Sequence, residues 1–262
     1  MSCGEIITSN NNGYVKRFAK LNDSKFRRAE KLFLCEGRKL VLESLMYADV
    51  KYLLVLNTCR DNFGDIIALA KNRQAEIIYL SESPFYKIST ENSPQGVITV
   101  VKEPEDTSVV CYDGRIFLAD GVRDPGNLGT IIRTAEALGY SRIILSDCAD
   151  IYSPKTVRAS MGGIFRAAVV NTGSMGDVIR SLRSDNRRVF AAALTQSSVK
   201  LGSFKLEKND VFLVGNEGHG LSDELISLCT GTVLIDMRGK AESLNVAAAS
   251  AIIMWEHSKA FD

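Results

Sequence analysis

At 262 residues the chain is long for one average domain and short for two large ones, and its 32 basic and 31 acidic side chains nearly cancel. Whole-chain charge therefore makes no case for a nucleic-acid partner. Six scattered cysteines without a C-x-x-C pair, and only two histidines, exclude a structural zinc spacing; they predict reduced thiols, no metal and a cytoplasmic setting.

The amino terminus, MSCGEIITSN, lacks a basic patch followed by an apolar core, and no apolar run approaches bilayer length, so a soluble protein is expected. Residues 16–39 carry nine Lys or Arg against three acids, a net of +6. That local excess makes Lys16, Arg17, Lys25, Arg27, Arg28 and Arg38 candidate phosphate contacts, although such runs often form only a solvated helix face. Phe18, Leu21, Phe26 and Ala29 give the same stretch a near-helical apolar spacing over 14–31. A strand is predicted at 32–37, a helix at 39–46, strands at 50–57, 75–80 and 96–101, and helices at 61–71 and after Ser83-Pro84. This is a small α/β layer holding no catalytic constellation.

Residues 102–113 are acidic and aperiodic, which makes them the best linker candidate. Domains are expected at 1–104 and 114–262, joined by a linker at 105–113. Beyond it, strands are predicted at 115–119, 142–146, 167–170, 188–194, 211–214 and 232–236, with helices at 128–138, 155–160 and 175–184 between them. Their continuous apolar runs predict a parallel sheet buried on both faces. Open sheets of this kind place ligands outside the carboxyl ends of their strands.

Three loops leave such ends. The first, DGVRDPGNLGT (120–130), opens a helix with Asn127 at its start and Arg133 off its core stripe; Gly139 closes that helix. The second, GNEGHGLSDE (215–224), carries Gly215, Asn216 and Glu217, and its glycines allow close approach or positive φ. The third, MRGKAESLN (237–245), leads into an Ala-rich helix that reads as buried, with Ser243 as its expected N-cap. The unremarkable roles for these side chains are capping for Asn127, Glu217 and Ser243 and a helix surface for Arg133. His219 reads as incidental, and His257 as a complement to the last helix's dipole.

Taken together, NLGTIIRTAEALG (127–139), LVGNEGHGLSDE (213–224) and IDMRGKAESLNVAAA (235–249) resemble, in order and spacing, the three signature motifs of the SpoU/TrmH family of RNA ribose 2′-O-methyltransferases in the SPOUT superfamily. The likeness extends to SPKTVRASMG (153–162), and the leading region looks like the small L30e-like RNA-binding domain that many members carry. The resemblance implies an α/β fold: an L30e-like domain followed by a parallel-sheet domain tied in a trefoil knot, which ordinary rules of chain topology would not suggest. It also implies transfer from S-adenosylmethionine to a ribose 2′-hydroxyl, in a homodimer. Ribosomal RNA is favoured over transfer RNA, because the leading domain is similar to that of ribosome-directed members.

Carried over by position, Asn127, Arg133, Glu217, Ser243 and Asn245 match the catalytic set, with Arg133 viewed in the family as activating the hydroxyl. Leu194, Thr195, Gly215, Asn216, Ile235, Met237 and Leu244 match cofactor positions, and Arg158 is a further phosphate candidate. Asp236 stands where members commonly have Pro, and Val-Ala-Ala-Ala follows Asn245 in place of a Ser-containing run. Two other classes remain: a noncatalytic RNA-binding protein on the same scaffold, and a nucleotide enzyme using GNEGHG as a phosphate cradle. No G-x-x-x-x-G-K-[ST] accompanies the latter.

Overall fold

The computed structural model describes residues 5–104, 113–241 and 243–259, so Cys3, Cys111 and nearly all of the expected linker lie outside the described residues. The described chain divides into two units, Met1–Glu105 with Asp150–Phe165, and Asp106–Ala149 with Arg166–Asp262. No helix among the described residues is long and apolar enough to cross a membrane.

In the first unit, strands β1 (Ile6–Ile7), β2 (Leu32–Glu36), β3 (Val50–Leu56), β4 (Glu76–Leu80) and β5 (Val97–Lys102) form a mixed sheet in the order β1-β4-β3-β5-β2. Helices α1 (Gly13–Lys20), α2 (Ser24–Glu30), α3 (Arg38–Tyr47), α4 (Gly64–Asn72) and α5 (Glu82–Ile88) alternate with them. The single helix expected at 14–31 is broken because Asp23 caps a second one, its side chain accepting from the Lys25 N–H. One core cluster gathers Phe18, Leu21, Leu54, Phe85 and Ile98. Residues 150–165, inside the stretch expected as one domain at 114–262, pack with this unit. Phe33 stacks on Tyr152 and Phe165, and Arg27 reaches Asp150.

The second unit is a seven-stranded parallel sheet. Its strands are β6 (Ile116–Asp120), β7 (Arg142–Ser146), β8 (Ala168–Asn171), β9 (Val189–Ala192), β10 (Val199–Lys200), β11 (Val211–Val214) and β12 (Gly231–Leu234), in the order β10-β12-β9-β11-β6-β7-β8. Helices α6 (Pro125–Ala137), α8 (Met175–Ser184), α9 (Asp223–Leu228) and α10 (Val246–Ser258) flank it, while α7 (Pro154–Ser160) belongs to the packed segment of the first unit. Strands β6 and β11 are buried almost throughout, as continuous apolar runs require. The two-residue β10 was not anticipated, being too short and too exposed to leave a periodic signal.

α10 packs on α6 and β11. It is apolar on every side, but only one face is buried, through Val246, Ala247, Ile253 and Met254; Ile252 and Trp255 face outward. His257 differs from expectation. It stands in the last turn of α10, but fully buried rather than as a simple complement to the helix dipole. Its Nε2 lies 3.0 Å from the Glu207 carbonyl and its Nδ1 2.7 Å from the Tyr140 hydroxyl. A carbonyl can only accept, so Nε2 carries the proton and Nδ1 accepts from Tyr140.

Burial lowers the His257 pKa, partly opposed by the Glu207 carbonyl and the charge of Asp210. The unfolded chain therefore binds a proton below about pH 6.5 that the folded chain does not, and stability falls as pH drops through that range. Urea unfolding at pH 7.5 and 5.5 should reveal this loss. His257→Gln keeps one donor and one acceptor without titrating, so it should flatten the dependence; equal pH slopes in both proteins would refute the assignment.

Candidate active site

The loops 121–124, 215–221, 193–198 and 235–245 follow the carboxyl ends of β6, β11, β9 and β12. Those four strands are neighbours in the parallel sheet, so their following loops share one edge. The order also reverses there: β7 and β8 extend one way from β6, whereas β11, β9 and β12 lie on its other side. Such a switch point opens a crevice at the strand ends.

α6 starts with Asp124, whose side chain accepts from the Asn127 N–H at 2.9 Å, and with Pro125 in its first turn. Asp124 does the capping expected of Asn127, which leaves the Asn127 amide available to the neighbouring loops. Its Nδ2 donates to Glu217 Oε1 at 3.0 Å, and its Oδ1 accepts from Asn245 Nδ2 at 3.0 Å. Asn245 in turn accepts from the Ala247 and Ala248 N–H groups with its own Oδ1. The α10 N-terminus, Asn245, Asn127 and Glu217 thus form one directed chain that ends on a carboxylate. Each link sets the orientation of the next amide. Glu217 Oε2 also accepts from the Arg123 N–H at 3.4 Å.

Desolvation is the largest influence on Glu217 and pushes its pKa up. The hydrogen bonds from Asn127 and from backbone N–H groups, including those of Arg123 and Asp124, outweigh it together, and the net shift is downward. The carboxylate stays ionised and the relay keeps its direction. Asp120, at the end of β6, is shifted the opposite way, chiefly by burial.

Asn216 locks the second loop. Its backbone bridges Gly220, its Oδ1 accepts from the Gly218 and His219 N–H groups, and its Nδ2 donates to the Gly121 carbonyl at 2.8 Å. Gly215 is required by this closure, since a Cβ there would lie 2.6 Å from the Gly220 carbonyl carbon. The Asn216 side chain, expected at the cofactor, is mostly engaged inside the protein. His219 is exposed and enters the arrangement only through its backbone.

Two expectations need correction. Ser243 does not cap α10; Asn245 does, and Ser243 is exposed without a hydrogen bond to another described residue. Arg27 is only 4 % exposed, with its Nη2 on Asp150 at 2.6 Å and its Nη1 on the Leu21 carbonyl, so it is a packing residue and not a phosphate contact.

Arg133 itself is exposed on α6, without a hydrogen bond or ion pair to another described residue. Leu194 is 83 % exposed, Leu244 is also exposed, and Ile235 and Met237 are half-buried. Thr195 is held by Ser198 and Thr232. Arg123 was missed by sequence reasoning; it is exposed and ion-paired with Asp147. Among the described residues no group of His, Cys, Asp and Glu could hold a metal.

Acids also claim part of the expected phosphate surface. Arg17 pairs with Glu30, Arg38 with Asp65 and Arg158 with Glu91, whereas Lys16, Lys25 and Arg28 are exposed without an ion-pair partner among the described residues. A concavity of about 250 Å³ in the first unit is lined by Gly37, Lys39, Gln95, Arg158 and Met161, among others.

A parallel sheet with polar loops at its switch point defines an α/β scaffold with a ligand crevice at its strand ends, and comparison with known proteins gives it a family. Residues 114–255 match the SpoU rRNA Methylase family and residues 12–99 the MRM3-like substrate binding domain. The chain is 33% identical to the 23S rRNA (guanosine(2553)-2′-O)-methyltransferase RlmP of Bacillus subtilis, over 95% of this chain and 97% of that one. It superposes on the AdoMet-bound rRNA methyltransferase of Sinorhizobium meliloti with a TM-score of 0.86 at 32% identity, covering 98% of both chains. AviRb from Streptomyces viridochromogenes, a SpoU methyltransferase solved with AdoMet, gives 0.85 at 28% identity, covering 95% of this chain and 98% of that one. The chain belongs to the SpoU methylase family.

If the relay ties the loops together, Asn127→Ala and Glu217→Ala should not be additive in stability. A double-mutant cycle by urea unfolding should return a coupling of about 0.5–1.5 kcal/mol, the usual range for one hydrogen bond. A coupling of zero within error would mean that the two loops are held independently.

Proposed function

We propose that this protein methylates a ribose 2′-hydroxyl of ribosomal RNA, with S-adenosylmethionine as donor. The observation that carries this reading is the Asn245–Asn127–Glu217 relay at the start of the helix that also carries Arg133, a side chain without an ion-pair partner among the described residues, in a family whose relatives bear rRNA 2′-O-methyltransferase names. The side chains present fit the donor. Leu194, Leu244, Ile235 and Met237 offer apolar surface at adjacent strand ends, as a flat adenine needs, and Thr195 offers a hydroxyl. When bound, S-adenosylmethionine supplies a methyl already activated by a positively charged sulfur.

The work of the protein is then placement and charge. An alcohol is a poor nucleophile near neutral pH, so the 2′-hydroxyl must lose its proton as it takes up the methyl group that a bound donor would supply. Deprotonating a guanidinium to serve as base would cost roughly 8 kcal/mol, for a shift from about 13 to near 7. Arg133 is better suited to remain charged. Its planar fork holds the phosphate next to the target ribose and stabilises the developing alkoxide, while the proton leaves to phosphate or water. Asn127, Glu217 and Asn245 keep the strand-end loops in register around it.

RNA contact falls to the exposed cations Lys16, Lys25 and Arg28, with Lys39 as a further exposed cation in the first unit. A homodimer is supported by the outward face of α10, where Ile252 and Trp255 are exposed. A trefoil knot is supported by the insertion of β11 between β9 and β6 and the return of α10 to α6. A cytoplasmic setting is supported by the free thiols of Cys35, Cys59, Cys148 and Cys229.

Purified protein should transfer labelled methyl from S-adenosylmethionine to ribosomal RNA, and the label should survive alkali in dinucleotides. Alkaline cleavage needs a free 2′-oxygen, so label released as mononucleotides would point to base methylation and overturn the reading. Arg133→Lys keeps the charge but loses the fork; turnover should fall at least about tenfold, worth 1.4 kcal/mol, with an unchanged melting temperature. Near-native turnover in that variant would reject the clamp.

A further inference from the structure

The edge strand β10 has no role in the site as described, yet it touches both apolar-lined loops. It pairs in parallel with β12, Val199 opposite Val233 and Lys200 opposite Leu234, and the Leu201 N–H donates to the Leu234 carbonyl at 2.8 Å. Side chains two residues apart on a strand share a face, so Ser198 and Lys200 face the same way, as do Thr232, Leu234 and Asp236. Two polar cross-strand contacts form on that shared face.

The first is a knot of hydroxyls. Ser198 Oγ lies 2.9 Å from Thr232 Oγ1 and 2.9 Å from Thr195 Oγ1, and Thr195 and Thr232 are 3.0 Å apart. Ser198 Oγ donates to the Ala193 carbonyl at 2.8 Å and accepts from the Thr195 N–H at 2.8 Å. One serine therefore closes the loop 193–198 on itself and pins it to β12. The second contact is the ion pair Lys200 Nζ to Asp236 Oδ2 at 2.9 Å, with the side chains 60 % and 54 % exposed. Asp236 is the second residue beyond β12, so the pair fixes the direction in which the loop 235–245 leaves the sheet.

We infer that Ser198 and Lys200 are positioning residues for the donor site: β10 acts as a strap that holds the Leu194–Thr195 loop through Thr232 and the Ile235–Leu244 loop through Asp236. This rests on the proposed use of S-adenosylmethionine and adds residues that act through Thr195, Thr232 and Asp236. The two contacts differ in kind. The hydroxyl knot is partly buried and insensitive to salt, whereas the ion pair is half-exposed and screened by it.

The test uses the full chain. Calorimetric titration with S-adenosylmethionine at low salt should give a dissociation constant raised several-fold in Ser198→Ala and two- to fivefold in Lys200→Met. In both, turnover at saturating donor should stay near native, because only the donor site is loosened. The exchanged pair Lys200→Asp with Asp236→Lys should regain most of the affinity lost by Lys200→Met. Raising salt should narrow the gap between native protein and Lys200→Met without changing the gap for Ser198→Ala.

Amide hydrogen exchange without any donor supplies the independent readout: exchange in 193–198 should quicken in Ser198→Ala, and in 235–241 in Lys200→Met. Native donor affinity together with native exchange in both variants would overturn the strap. If the native protein bound no donor, the proposed cofactor would fail, and the exchange data alone would still decide whether β10 orders the two loops.

Discussion

The Asn127 amide is the joint on which the rest of the site turns. Three segments far apart in the chain meet there: the first turn of α6, the loop after β11 and the N-terminus of α10. Its Nδ2 faces a carboxylate and its Oδ1 faces another amide nitrogen, so only one orientation of the group satisfies both neighbours. The ionised state of Glu217 is the anchor of that direction. The structural and functional readings of these side chains are consequently the same interactions seen from two sides, since holding the loops together is what prepares them for chemistry.

The parallel sheet supplies the constraint that makes such a joint available. All seven strands run the same way, so every strand end on one edge issues a loop, and the reversal of order between β6 and β11 opens a gap for polar groups. Arg133 then stands out by its lack of engagement. Many of the other arginines are tied to carboxylates or carbonyls, including Arg27, Arg158 and Arg188, whereas Arg133 faces solvent with its charge uncompensated by a described neighbour. A guanidinium left in that condition, on the helix whose first turn carries the amide relay, is suited to receive an anion.

Much of this was legible in the amino-acid order because local rules governed it. The apolar runs read as strands at 115–119 and 211–214 are strands buried almost throughout, the first shifted by one residue to 116–120, and Gly139 closes its helix at positive φ as expected. The errors came at the exact starts of helices and where distant residues decide. Asp124 displaced Asn127 as a cap because it stands one residue before Pro125, and Asn245 displaced Ser243 because α10 begins at Val246 rather than at Leu244. The basic excess at 16–39 was overcounted, since Asp65 and Asp150 reach Arg38 and Arg27 from far along the chain. Sequence counting sees the local acids but not those that folding brings in. The β10 strap escaped for the same reason: two exposed residues have no period, and their partners lie more than thirty positions away.

A crystal structure with S-adenosylhomocysteine bound tests the central claim most directly. The account predicts the adenine among Leu194, Ile235 and Leu244, an intact Asn245–Asn127–Glu217 relay, and the Arg133 guanidinium turned toward the sulfur. A ligand seated away from these strand ends, or an Arg133 side chain pointing into bulk solvent with the site filled, would contradict it.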